Sequence, residues 1–294
     1  MASSVRTTTV LALELGGQPA GSLRSVQPAP VRVDRAVITK GSVMPVRDGG
    51  TVLLGEMGAM AELGAPGPLM DWLVQVIAGG QALTSGAVLV LDANHNINRR
   101  IDFIDATLTE LQLPVLDAAD GKRGFIVGLK WQPGQLKEAK ASGKYSMPLA
   151  SKRKSMQVGN FRVLGLPFDA GFVLRVGLPT VTVRRAAEEG RMRRSNYWSV
   201  DPGELRLVMR GGTADAARAW VQKASADGRI DASDLLSLTV EMLDPSLKKV
   251  LATIKLDRCS LLAFEEDQID SSAEATAGVT MRLAVGQLGL ALTT

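Results

Sequence analysis

The chain has 294 residues, of which 46% are hydrophobic and 22% charged, and its formal net charge of +4 gives a pI of about 9.3. These values are ordinary for a globular protein and exclude a fibre or a low-complexity tail, and the length allows two hydrophobic cores. The basic excess is too small for a nucleic-acid footprint, aromatic residues make up only 4% of the chain, and the single cysteine, Cys259, excludes an internal disulfide.

The beginning of the chain contains no evident targeting segment. Arg6 is its first charged residue, and Glu14 interrupts the following apolar stretch before a signal-peptide core develops. Beyond it the pattern predicts strand, strand, long loop, strand, one helix and four more strands. The helix has Pro68 where a first helical residue tolerates proline. Its apolar residues have helical spacing: Leu69, Trp72, Leu73, Val76 and Ile77.

The segment from Trp72 to Leu91 has no charged residue and is long enough to suggest a membrane span. Its glycines at 79, 80 and 86 instead indicate a helix end, a turn and a strand. The matching segment of the second half, from Trp220 to Leu243, carries charged residues at 223, 227, 229, 231 and 234. The sequence therefore predicts no membrane insertion.

Several motifs resemble functional sites but lack a required residue. Asp92 and the asparagines after it have the alternate spacing of a calcium loop, yet Ile97 and Phe103 stand where that loop needs glycine and glutamate. A hairpin turn is predicted here instead. His95, the only histidine, lies in this turn and is expected to be an exposed polar residue. Since no catalytic constellation remains, we expect no enzymatic activity, no metal and no cofactor.

The middle of the chain changes composition. Residues 137–159 contain six lysines and arginines and few apolar residues. Such a run is typical of a solvated linker, and the alternative is a docking segment for an acidic partner. The predicted domains are therefore residues 1–140 and 159–294, joined by a basic linker at 141–158.

The second half shows sheet periodicity with one helical interruption. Its strands are predicted from alternating apolar residues at 205, 207 and 209 and at 279, 281, 283 and 285, and the first half has a similar run at 125, 127, 129 and 131. The helix has apolar residues at Ala217, Trp220, Val221 and Ala224, with Thr213 and Asp215 as a plausible start. Trp72 and Trp220 are predicted core residues of their helices.

The two halves repeat the same residues at a nearly constant spacing of 148 to 152 positions. Shifts that vary by a few residues while order is kept are typical of loop insertions between fixed strands. The sequence therefore predicts two homologous domains. The matched residues include Ala20-Gly21 with Ala170-Gly171, Trp72 with Trp220, Leu91-Asp92 with Leu243-Asp244, and Gly134-Gln135-Leu136 with Gly286-Gln287-Leu288.

The second half, from Phe161 to Leu290, resembles the tail tube proteins of contractile phage tails and the related tube proteins of type VI and extracellular contractile injection systems. The first half shows the same order of parts more faintly, and typical members of this family hold one such domain, whereas this chain holds two. The resemblance rests on the order of the following parts: Phe172-Val173-Leu174-Arg175-Val176, the charged loop after Arg184-Arg185, Leu205-Arg206-Leu207, the Trp220 helix, Val240-Glu241-Met242-Leu243-Asp244, Leu256-Asp257-Arg258-Cys259-Ser260, Glu265-Glu266-Asp267-Gln268-Ile269-Asp270 and Leu288-Gly289-Leu290.

The resemblance implies a mainly β fold with two tandem β-barrel or sandwich domains, each with one flanking α-helix. It also implies that domains assemble side by side, so that the inner sheets of six domains line a channel. Unpaired sheet edges must be covered, and ring closure covers them with neighbours. Because each chain supplies two domains, a homotrimer with pseudo-six-fold symmetry completes the ring.

The expected function is a structural, non-enzymatic tube or tube-initiating ring of a phage-type tail or contractile injection system. An alternative is a baseplate hub that adapts a six-fold tube to a three-fold spike, and a different class is a soluble β-barrel binding module or an unrecognised hydrolase. Expected partners are further copies of the chain and tube, sheath, baseplate or hub proteins, with DNA or protein cargo only passing through the channel. The expected location is a virion tail or an injection particle assembled in the cytoplasm.

Charge is distributed most unevenly in the second half. If the basic loop projects axially, as the resemblance implies, it meets the acidic segment of an adjoining ring, and the alternative is a solvated loop that only keeps the protein soluble. The predicted ring-stacking residues are Arg184, Arg185, Arg191, Arg193 and Arg194 in the loop region and Glu265, Glu266, Asp267 and Asp270 downstream.

Overall fold

A computed structural model describes residues 9–38, 46–63, 66–79, 83–146, 156–185, 198–226, 235–267 and 278–293, with backbone only at 35–38, 46–49, 185 and 224. Its elements are mainly strands. The first half contains β1 (Val10–Leu15), β2 (Gln18–Gln27), β3 (Val31–Ile38), β4 (Val46–Leu54), β5 (Met57–Glu62), α1 (Pro68–Ile77), β6 (Thr84–Leu91), β7 (Ile97–Gln112), β8 (Val115–Asp117), β9 (Ile126–Gln132) and β10 (Gln135–Ala139). The second half contains β11 (Phe161–Leu164), β12 (Val173–Gly177), β13 (Thr180–Arg185), β14 (Trp198–Asp201), β15 (Glu204–Met209), α2 (Gly211–Ser225), β16 (Leu236–Leu243), β17 (Val250–Glu266), β18 (Val279–Ala284) and β19 (Gln287–Leu292).

The chain divides into two compact units, each assembled from separate stretches of sequence. Helix α1 and strand β8 belong to unit 2, although both precede the basic segment in sequence. The predicted continuous domains follow the sequence repeat and stay a prediction. Unit 1 comprises Met1–Ala61, Leu83–Thr109 and Leu129–Pro148, and unit 2 comprises Glu62–Ala82, Glu110–Gly128 and Leu149–Thr294.

The first barrel is a closed ring of strands. Its strands follow the order β7-β6-β1-β2-β5-β9, and β9 also pairs with β7, which closes the ring. Alternation in β9 places Val127, Leu129 and Trp131 in the core, as its sequence pattern predicts. The Trp131 ring lies 5.6 Å from that of Phe103 on β7, in a tilted aromatic pair.

The second barrel is nearly closed. Its strands follow the order β11-β16-β17-β18-β15-β12-β8, and β19 pairs with β17. The long strand β17 pairs with β16 and β19 through its first part and with β18 from Ser260 onward. The counterpart of β11 in the first barrel is β1. Strand β1 pairs with a neighbour on both edges, whereas β11 pairs only with β16 among the described strands. The second ring is therefore open at β11.

Matched hairpin turns join β6 to β7 and β16 to β17. In the first, Asp92 accepts a hydrogen bond from the backbone N–H of His95 at 3.0 Å, and in the second Asp244 accepts one from Leu247 at 2.8 Å, both through the carbonyl oxygen. His95 and Leu247 have left-handed backbones, with φ of 63° and 59°. Each aspartate side chain also accepts two backbone N–H bonds from its turn. The predicted hairpin turn at Asp92 is confirmed.

Matched irregularities also occur in the two long strands. Asp105 in β7 and Arg258 in β17 have positive φ values of 51° and 55°. The N–H of Gly134 donates to the carbonyl of the residue before Asp105 at 3.0 Å, and the N–H of Gly286 does the same before Arg258 at 3.2 Å. A Cβ on Gly286 would lie 2.8 Å from the Arg258 side chain, so glycine provides the space that this bend needs.

The predicted fold class is confirmed: the chain is mainly β, and its described residues form two barrel-like sheets and two helices. One local prediction is wrong, since α2 begins at Gly211, before the predicted start at Thr213 and Asp215. The Thr213 hydroxyl does not cap the helix and instead accepts a hydrogen bond from the N–H of Phe172 at 3.1 Å. Among the described residues, neither helix has the length and apolar character needed to cross a membrane.

Candidate assembly surfaces

The basic residues of the predicted stacking contact are only partly described. Arg184 is exposed on β13, opposite Ser199 of β14. The backbone of Arg185 pairs with Trp198, which ends the described part of this ribbon. Arg191, Arg193, Arg194 and the acidic Asp270 lie outside the described residues. The stacking contact therefore stays a prediction.

The acidic residues of that contact lie at the end of β17. Glu265 is exposed and pairs through its backbone with Thr280. Glu266 accepts the Nε of Arg218 on α2 at 3.1 Å. Asp267 accepts the backbone N–H of Gly278 through Oδ2 at 3.1 Å, which fixes the start of β18. Glu266 and Asp267 thus make contacts within unit 2, and all three acidic residues are exposed.

Helix α1 buries a wide apolar face against unit 2. The sequence forms a helix here because Pro68 occupies the first turn and apolar residues recur with helical spacing. The helix packs against β19. Trp72 is 5% exposed and Leu73 is fully buried. The six buried residues are Leu69, Met70, Trp72, Leu73, Val76 and Ile77.

Helix α2 leaves the equivalent face partly open. Thr213, Ala214 and Ala217 are buried, but Trp220 and Val221 are only half-buried. The Trp220 ring lies 6.3 Å from that of Phe168, which is itself half-buried. Both tryptophans were predicted as core residues, but their burial differs: Trp72 is enclosed within the chain, whereas Trp220 is only half-buried.

A groove of mixed polar and apolar lining adjoins α2 at the open edge of the second barrel. It has a volume of about 470 Å³ and runs from β11 to the start of β12. Its charged side chains already have partners: Arg162 binds Glu241 at 2.7 Å through Nε, and Asp169 accepts the N–H of Gly171 at 3.0 Å. Its apolar lining comes chiefly from Phe161, Leu164, Leu166 and Phe168, and polar groups make up the rest.

This groove was not predicted from the sequence. Its residues lie on a short strand and an irregular loop, where no periodicity marks an apolar surface. Phe172, on the same loop, is 59% exposed and is the strongest local signal, since large exposed aromatic residues often mark contact sites.

Two ionisable groups elsewhere in the described chain, Asp92 and Cys259, have pKa values shifted by turn hydrogen bonds and by burial. The pKa of Asp92 is lowered by hydrogen bonds from the side chain and backbone of Asn96, as expected for a turn carboxylate. Burial raises the pKa of the Cys259 thiol to about 11, with a further contribution from the charge of Asp257. Within the described residues, no group of three or more histidine, cysteine, aspartate or glutamate side chains is arranged to hold a metal ion.

Comparisons with known proteins give matches only among solved structures. No protein-family model matches the chain, and no curated protein does. A chain of the sheath/tube terminator of an extracellular contractile injection system, in the extended state, is 13% identical, with a TM-score of 0.38 over 47% of this chain and 97% of its own. The tube-terminating cap of the anti-feeding prophage is 10% identical, with a TM-score of 0.35 over 53% of this chain and 97% of its own.

A chain of the anti-feeding prophage baseplate is 13% identical, with a TM-score of 0.34 over 48% of this chain and 97% of its own. The matched chains are thus components of contractile injection particles, and each aligns almost entirely with about half of this chain. With TM-scores below 0.5, these alignments assign no role to this chain.

Proposed function

We propose that this protein is a structural, non-enzymatic component of a phage-type tail or contractile injection system, and that three copies form a ring of six barrels around a central channel. The observation that carries the proposal is the presence of two barrels with matched hairpins and matched bends in one chain. Two copies of one barrel, fused in tandem, supply the repeated subunit that a ring requires.

The order of elements supports the duplication. Apart from β8, the extra strand of the first half, the elements β1 to β10 with α1 follow the same order as β11 to β19 with α2: five strands, a helix and four strands. In both halves the helix lies between a barrel strand and the hairpin whose turn begins at Asp92 or Asp244. Equivalent irregular backbone at equivalent positions is a stronger sign of common origin than strand order alone, because each irregularity has an energetic cost.

The β3–β4 ribbon supports an assembling protein. Its strands pair only with each other among the described residues, and Val33 lies opposite Val52. Val31 is 63% exposed and Val52 is 60% exposed. A ribbon that presents β-branched apolar residues to water is an association site in most proteins, because its sheet edges and side chains both gain from being covered.

The proposed partners are further copies of this chain and neighbouring tube, sheath, baseplate or hub proteins, and the proposed location is the tail or injection particle. A tube and a tube-initiating ring use the same ring, repeated many times or once. A baseplate hub uses it once as well, between a six-fold and a three-fold partner. DNA or protein cargo enters the proposal only as content of the channel.

Native mass spectrometry and negative-stain microscopy of the purified protein test this proposal. We expect particles of three copies that look six-fold in projection, with long hollow rods for a tube and isolated rings for an initiator or hub. A single ring of six copies would contradict the tandem arrangement. A chain that stays monomeric at all concentrations and salt conditions would overturn the proposed function.

A further inference from the structure

We infer that the half-open face of α2 is a docking surface for a second copy of this chain, and that it contacts strand β10 of that copy. The docking surface is defined here by Trp220 and Val221 of α2 together with Phe168 and Phe172 of the adjoining loop. This inference rests on the proposed ring and specifies the contact that joins one chain to the next.

Inside unit 2, helix α1 makes a contact that links the two halves of the sequence. Helix α1 comes from the first half of the sequence, but it packs against β19, the last strand of the second half. The contact therefore joins the helix of one repeat to the final strand of the repeat that follows it. In this contact Trp72 and Leu73 become buried.

Helix α2 occupies the same position in the second half as α1 does in the first. Trp220 and Val221 correspond to Trp72 and Leu73 in the aligned halves. Both are only half-buried, although their counterparts are buried. Within the described residues this face of α2 has only partial cover, so the first half of another copy can make the contact equivalent to that between α1 and β19.

The strand that receives α2 in the second copy is β10. The counterpart of β19 is β10, since each directly follows the glycine that faces the bend of a long strand. Both are edge strands among the described residues, β10 on β7 and β19 on β17. Leu136 of β10 is half-buried, whereas its counterpart Leu288 is buried. Strand β10 thus lacks the cover that β19 has.

The resulting contact is head-to-tail, with different surfaces on its two sides. Such a contact repeats around an axis and closes into a ring when the rotation per copy divides a full turn. One contact of this kind lies inside each chain and one between chains, so three chains give six equivalent helix–strand contacts. The charged residues that line the groove beside α2 already make hydrogen bonds, Arg162 to Glu241 and Asp169 to the N–H of Gly171, which leaves its aromatic and aliphatic side chains available to Leu136 of β10.

Cross-linking of co-expressed single-cysteine variants tests this contact. One chain carries Val221→Cys on the docking surface, and a second, differently tagged chain carries Gln135→Cys, which is exposed on β10. The native Cys259 is fully buried and does not compete for a short bismaleimide. The matched control is Ala219→Cys, exposed on the opposite side of α2. We expect the Val221→Cys pair to cross-link between the two chains at least about tenfold more than the control pair.

A second pair of variants measures assembly directly. Val221→Asp introduces a charge into the docking surface and should weaken assembly at least about tenfold, while Ala219→Asp should not. Circular dichroism and thermal melting of dilute samples confirm that both variants fold. Rings that form with equal cross-linking of the two cysteine pairs, or that tolerate Val221→Asp, would overturn this inference but leave the proposed ring intact. Monomers in the unmodified protein would overturn both.

Discussion

Truncation of the two matched tryptophans should have unequal effects on stability. Trp72 is 5% exposed on a helix whose apolar face is enclosed, so Trp72→Ala removes a buried indole and should cost about 3–5 kcal/mol of unfolding free energy. Trp220 is half-buried, and its main aromatic neighbour is Phe168. Trp220→Ala should therefore cost roughly half as much, about 1.5–2.5 kcal/mol, because the cost scales with the contacts that are lost.

Guanidinium denaturation measures this difference when the protein is dilute enough to be monomeric by sedimentation. At that concentration the second copy contributes nothing, so the two variants report only on burial within one chain. Trp220→Ala should also weaken ring formation at higher concentration, and Trp72→Ala should weaken it only to the extent that the chain unfolds. Trp220 was predicted as a core residue whose removal unfolds its domain before it affects assembly, and the same titration decides between core and surface roles.

Equal losses for the two variants would refute the reasoning from burial. A loss above about 3 kcal/mol for Trp220→Ala would restore Trp220 to the core, since only a fully buried aromatic residue has such a cost. Wild-type stability for Trp220→Ala would make the side chain an interface residue alone. The mildest control is Trp72→Phe, which keeps most of the apolar volume and should lose much less than Trp72→Ala.

Three further predictions concern a glycine, a thiol and the stacking contact. Gly165→Ala should destabilise the second barrel by about 1–3 kcal/mol in thermal unfolding. The reason is that Gly165 has a φ of 89° and that a Cβ there would lie 2.2 Å from the Ser237 carbonyl oxygen. The control Gly212→Ala, in the open first turn of α2, should not destabilise the protein. Burial raises the pKa of the Cys259 thiol from 9.0 to about 11, so the folded chain binds the thiol proton more tightly than the unfolded chain. The stability of the fold should therefore fall as the pH rises from about 9 to 11. Cys259→Ala should reduce that fall, as measured by thermal melts at a series of pH values. The combined change of Arg191, Arg193 and Arg194 to Glu should abolish ring stacking at low salt while leaving the rings intact. Ion pairs repeated around a ring add up, and salt screens them more readily than it weakens apolar contacts. Rods of normal length in sedimentation and microscopy would contradict this prediction.

Sequence patterns predicted the parts of the fold that depend on local periodicity. Alternation marked β9, with Val127, Leu129 and Trp131 in the core, and helical spacing marked α1. Periodicity says which face of an element is apolar but not which partner covers it. For that reason the packing of α1 against β19 could not be predicted from Trp72 and its neighbours.

The groove and the start of α2 lay beyond sequence reasoning for a related cause. Thr213 looked like a helix cap because threonine favours that position, yet its hydroxyl binds the N–H of Phe172 on a distant loop. Phe168 and Phe172 lie on that irregular loop, and only the fold brings Phe168 next to Trp220. Interactions between residues far apart in sequence decide these features, and one sequence does not encode them as a pattern.

The paired bends in β7 and β17 carry the strongest argument that the two barrels share one design. A left-handed backbone at a residue other than glycine costs roughly 1 kcal/mol, and Asp105 and Arg258 both adopt it. Their side chains have opposite charge, so no common side-chain interaction explains the match. What the two sites share is the backbone bend and the glycine that donates its N–H to the bend, Gly134 in one half and Gly286 in the other. Because the two halves share this costly geometry while their side chains differ, the bend itself is what they have in common, as expected if each long strand must turn at that point to serve two parts of its barrel.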